Sequence, residues 1–155
     1  MGDFDRHVKF QTSRLYILTG LPGTGKSTFA DFLAVKLLKQ SHWRCSIFSP
    51  EKFPVALHYM ELAEKIMGKS FDNPRLSNRE YEQCKVYMNE NIFHISAEGK
   101  TDIESLLHTA RQQIIAHGVK LLLLDPFNYI DLGSDSGMTD TQKISRILIT
   151  IVQFA

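Results

Sequence analysis

Two cysteines, one tryptophan and five prolines in 155 residues leave this chain without several common devices. Cys45 and Cys84 lie far apart and belong to no larger set, which argues against a disulfide scaffold or a Cys-rich metal site. Ordinary thiols in a reducing cytoplasm fit that count. The formal net charge is +1, so no bulk field advertises nucleic acid or a membrane surface. The longest apolar runs, such as Leu121–Leu124, are far too short to span a bilayer. The opening MGDFDRHVKF lacks the apolar stretch of a signal peptide, and Arg6 stands where a myristoylation motif needs Ser or Thr. The six histidines, at 7, 42, 58, 94, 108 and 117, show no metal-ligand spacing and read as ordinary surface or half-buried residues. Repeats and low-complexity segments are lacking too.

What is there is alternation. Hydrophobic residues make up 43% and charged residues 23%, ordinary for one soluble domain with a real core. RLYILTG (14–20) predicts a buried strand, followed by a helix over 26–39. RCSIFS (44–49) predicts a second strand. A helix after Pro54 carries Val55, Leu57, Met60, Leu62, Ile66 and Met67 and ends at Gly68. Ser77 with Glu80, Thr101 with Glu104, and Thr139 with Gln142 have capping-box spacing and open three further helices. NIFHIS (91–96) and VKLLLLD (119–125) predict strands, the second apolar enough to be a central parallel strand. Strands alternating with helices predict an α/β fold with a mainly parallel sheet.

The first strand runs into GLPGTGKS, Gly20 to Ser27. This is G-x-x-x-x-G-K-[ST] between a strand and a helix, the context a P-loop requires. Gly20, Gly23 and Gly25 let backbone N–H groups approach phosphate oxygens, while Leu21, Pro22 and Thr24 complete the loop. The helix N-terminus that follows, Lys26, Ser27 and Thr28, points its positive end at an anion. Lys26 is suited to the terminal phosphates and Ser27 to Mg²⁺, which makes ATP with Mg²⁺ the expected ligand. LLLLD places Asp125 at the end of an apolar strand, where a Walker B carboxylate stands near the metal. Glu51, in SPEKFP after the second strand, is a candidate general base. A solvated loop charge is the alternative for that residue.

GLPGTGKSTF, IFSPEKFP and LLLLDPFNYID, in that order, resemble the RecA-like ATPase core of DnaB-like replicative helicases, in the branch of phage primase–helicases and Twinkle-type helicases. The resemblance runs from about Leu15 to the end. It implies a three-layer P-loop fold over 14–155 with an extension at 1–13. It makes Glu51 the catalytic base and Asp125 the Mg²⁺-associated aspartate. It also implies single-stranded DNA and a homo-hexamer as partners of the full-length protein, and no membrane. The family continues with a sensor strand, a DNA-binding loop and an arginine finger, so the chain is expected to be a weakly active fragment of a longer protein. Two other readings of the P-loop stand beside this one. A small-molecule kinase would need an Arg-rich lid, and the arginines here form no such cluster. A nucleotide-binding switch would turn over little ATP. Asp131, Asp135 and Asp140 lack EF-hand spacing and read as a loop.

Overall fold

The computed structural model describes residues 4–74, 76–96, 101–131 and 137–155. These divide into two compact units, one of Leu18–Asp131 and the other built from Met1–Ile17 and Leu132–Ala155.

The larger unit holds the sheet. Helix α2 (Lys26–Ser41) leads into strand β1 (Arg44–Phe48), then come α3 (Val55–Met67), α4 (Asn78–Asn91) and β2 (Ile92–His94). A short β3 (Thr101–Asp102), α5 (Ile103–His117), β4 (Val119–Leu124) and β5 (Ile130–Asp131) complete it. The smaller unit contributes α1 (Phe4–His7) and α6 (Asp140–Phe154).

Strands β2, β1 and β4 form a parallel sheet in that order, and β3 pairs with β5, also in parallel. Strand side chains alternate between faces, and β1 uses both. Cys45 and Ile47 join Ala34, Val35 and Leu38 of α2, Leu62 and Ala63 of α3, Cys84 and Met88 of α4, and Ile92 in one hydrophobic cluster. On the opposite face, Ser46 Oγ donates to Gln113 Oε1 of α5 at 2.6 Å. Helices on both faces of a parallel sheet make the three-layer α/β arrangement expected from the alternation. Leu38 and Leu62 are about 1% and 0% exposed; full burial of each such side chain contributes about 1.5–3 kcal/mol.

The local end signals explain most boundaries. Gly68 and Gly118 close α3 and α5 in the left-handed conformation, each donating its N–H back to the last turn. The capping boxes Ser77/Glu80 and Thr139/Gln142 are both formed.

Four expectations are corrected. Residues 14–20 carry no regular secondary structure and join no ladder, and Tyr16, Ile17 and Leu18 are 46%, 68% and 51% exposed. An apolar run becomes a strand only where its backbone groups find a partner; among the described residues neither this run nor the outer edge of β4 has one. Strand β4 is therefore an edge strand, with Leu121–Leu124 half-buried, and β1 is the central one. Thr101 lies in β3, so Asp102 caps α5 instead, accepting from the Ser105 N–H at 2.8 Å. In α3, Val55, Leu57 and Met60 face solvent while His58 is buried.

Candidate nucleotide site

Gly23 and Gly25 adopt left-handed backbone angles, with φ of 74° and 81°, in the turn from Gly20 to α2. A Cβ added at either would meet nothing within 4 Å, so the backbone angle and not space demands glycine there. Gly25 caps α2 without a side-chain hydrogen bond, and the first turn contains no acidic residue. The leading N–H groups of a helix have no intrahelical partner. The positive end of α2 is thus left for an external anion. Within the loop, Thr24 Oγ1 and Lys26 Nζ each donate to the Leu21 carbonyl at 2.7 Å. The ammonium is folded back over the Gly20–Gly25 loop.

The two candidate carboxylates stand at one end of the sheet. Phe48 and Leu124 are register partners, and the Asp125 N–H donates to the Phe48 carbonyl at 2.9 Å. Asp125 therefore leaves the ladder beside the point where β1 enters the Ser49–Lys52 turn. That turn is closed by the Lys52 N–H donating to the Ser49 carbonyl at 3.1 Å, and its Glu51 side chain is exposed. Helix α2 ends just before β1 begins and runs back along it, which brings its N-terminus toward the same carboxyl edge, the edge where open α/β sheets bind ligands. The Ser49 hydroxyl at this edge is buried without a hydrogen-bond partner among the described residues, one polar atom for a ligand or its hydration to satisfy.

A buried polar network ties these pieces together, and sequence reasoning missed it. Asp31 of α2 is 1% exposed. Its carboxylate accepts from the Lys52 ammonium and from His58 Nε2 at 3.1 Å, with Lys65 Nζ 3.5 Å away. Lys52 also stands 3.5 Å from Glu61. Burial alone would raise the Asp31 pKa, but the hydrogen bonds and charges of His58 and Lys52 outweigh it and hold the carboxyl below its usual range. An ionised carboxylate only accepts, so His58 carries its proton on Nε2. His94 packs edge-on against His58 with ring centroids 5.4 Å apart. One signal was available in the sequence. Asp31, Ala34, Val35 and Leu38 form the i, i+3, i+4, i+7 stripe that α2 buries, so an acid stands in line with the core face. His58, read as surface or half-buried, is 2% exposed.

The donor chemistry fits a nucleotide with Mg²⁺. Ser27 and Asp125 offer hydroxyl and carboxylate oxygens, the hard donors that this ion takes alongside phosphates and water. The profile of the DnaB-like helicase C terminal domain matches residues 1–155. The chain belongs to this family. The family membership accords with the parallel α/β sheet and the P-loop motif. Among curated proteins, the DnaB-like chain is similar to the Twinkle homolog protein, chloroplastic/mitochondrial, of Arabidopsis thaliana. The two are 27% identical over an alignment that takes in 91% of this chain and 21% of that protein. The chain thus spans about one-fifth of the length of the relative it matches. Among the described residues, no helix is long and apolar enough to cross a membrane.

Proposed function

We propose that this DnaB-like chain binds ATP with Mg²⁺ at Gly20–Thr28 and hydrolyses it, as the motor core of a hexameric replicative helicase that acts on single-stranded DNA. The observation that carries the reading is the unneutralised N-terminus of α2 behind two left-handed glycines, with Lys26 folded over the loop. Backbone N–H groups and Lys26 hold the β- and γ-phosphates. Ser27 and Asp125 hold the Mg²⁺, which when bound neutralises charge on the phosphate oxygens. Glu51, on the turn after β1, orients the attacking water and takes its proton.

Residues 14–155 then act as a RecA-like ATPase domain, preceded by an extension at 1–13. The reading places the protein in the cytoplasm of a bacterial or phage-infected cell. The name of the Arabidopsis relative assigns that protein to chloroplasts and mitochondria.

The test is ATP turnover by the full-length protein with and without single-stranded DNA, beside its mass in solution. Hydrolysis stimulated by DNA and a hexameric mass are expected. Turnover indifferent to DNA, or a phosphate passed to an added metabolite, would overturn the proposal.

A further inference from the structure

Glu51 is exposed, so its own packing does not aim it. The backbone of its turn must do so, and the next residue along is anchored. Lys52 is 18% exposed, and its ammonium ends on the carboxylate of Asp31, which is 1% exposed. Asp31 in turn lies five positions into α2 from Lys26, about 7.5 Å along a rigid helix. The Lys52 Cα is about 3.8 Å from that of Glu51. A short, stiff path therefore runs from the phosphate cradle through α2, Asp31 and Lys52 to the turn that carries the carboxylate. His58 adds a second anchor from α3 on the other oxygen of Asp31, and Glu61 of α3 stands 3.5 Å from Lys52.

A buried carboxylate with this set of partners is an expensive feature of a core. An apolar residue at position 31 would continue the stripe formed by Ala34, Val35 and Leu38, and buried ion pairs are often no more stabilising than such packing. Stability alone therefore gives little reason for an acid here. Geometry gives one, because the ion pair fixes the distance between the helix that holds the phosphates and the loop that holds the base.

We propose that Asp31, Lys52 and His58 are positioning residues that clamp the Glu51 turn to the phosphate-binding helix, setting the base for attack on the terminal phosphate. The proposal rests on Glu51 being the base. None of the three touches substrate; each acts through Glu51. Misplacement of a reacting group by about 1 Å can slow a reaction by about 10²-fold, which sets the size of the expected effect.

The experiment uses the full-length protein and reads equilibrium ATP binding, single-turnover hydrolysis and melting temperature for Lys52→Met, Lys52→Arg, His58→Gln, Glu51→Gln and the double variant Glu51→Gln/Lys52→Met. Lys52→Met is expected to slow hydrolysis about 10- to 100-fold with ATP affinity within about twofold of wild type. Lys52→Arg, which can still reach Asp31, restores most of the rate. In the Glu51→Gln background the Lys52→Met change adds little further loss, because the group it positions is already gone. If Glu51→Gln is slow while Lys52→Met and His58→Gln hydrolyse like wild type, the clamp is overturned and the base stands. If Glu51→Gln itself turns over like wild type, the base assignment fails first. Equal losses from Lys52→Met in both backgrounds, or losses of rate and ATP affinity in step with melting temperature, would also overturn the clamp by showing a structural role. Should Lys52→Met not fold, His58→Gln and Lys52→Arg carry the same comparison, since one weakens the anchor and the other retains it.

Discussion

Lys26 Nζ donates to the carbonyl oxygen of Leu21 at 2.7 Å, inside the same loop whose N–H groups are proposed to cradle the anion. The side chain is held near the place where terminal phosphates are proposed to sit, and binding exchanges a neutral acceptor for a charged one. Hydrogen bonds to charged groups contribute about 1.5–3 kcal/mol. Lys26→Ala is accordingly expected to weaken ATP binding by roughly 10- to 100-fold, while helix content by circular dichroism stays at the wild-type level. Unchanged affinity in a calorimetric titration would remove Lys26 from the cradle.

The loop glycines are expected to divide into two kinds. Gly25→Ala forces a side chain into the left-handed region, at a cost of about 1–2 kcal/mol with no clash to relieve. Gly20 has no positive φ, and a Cβ there meets Lys26 Cδ and Thr24 Oγ1 at 3.5 Å, an ordinary contact. Gly20→Ala should leave stability within about 0.5 kcal/mol of wild type. Urea unfolding of the two variants checks the contrast, and equal losses would contradict it.

His94 should make the fold sensitive to mild acid. Burial first, and then the charges of His58 and Lys52, push its pKa down to about 4 from 6.5, with Asp31 opposing. Between those two values the unfolded chain binds a proton that the folded chain refuses, so stability falls as pH drops from 6.5 toward 4. The loss by pH 4.5 is on the order of 2 kcal/mol. Asp31, whose pKa is also lowered, acts below its ordinary 3.8, and Glu80, lowered to about 2, acts below 4.5. His94→Phe keeps a ring beside His58 and Tyr59 but cannot titrate. Unfolding free energies at pH 7 and pH 4.5 should differ by clearly less in the variant, and an equal difference would exclude His94 as the source.

What the sequence made legible was local. The P-loop, the boxes at Ser77/Glu80 and Thr139/Gln142, and the glycine ends at Gly68 and Gly118 each depend on residues a few positions apart, and the structure forms the last two kinds as read. The family motifs around Gly20, Glu51 and Asp125 were legible for the same reason, and the family itself is borne out. What was not legible depends on distant partners. Whether 14–20 becomes a strand is decided by an edge elsewhere in the chain, and composition could not tell the edge position of β4 from the central position of β1. The Asp31 network joins residues 21 and 27 positions apart, so no motif encodes it. The loop aspartate Asp135 lies outside the described residues. Asp131 falls in β5 and Asp140 at the start of α6, so neither belongs to a simple loop.

The most direct test of the whole account is single-turnover ATP hydrolysis by the Glu51→Gln variant of the full-length protein, beside its equilibrium affinity for ATP. The substitution keeps size and shape and removes only the basic carboxylate. Hydrolysis is expected to be slower by roughly 10²–10⁴-fold with ATP affinity close to wild type, the pattern of an interaction made mainly in the transition state. Wild-type hydrolysis by the glutamine variant would contradict it, reducing the turn after β1 to a solvated loop.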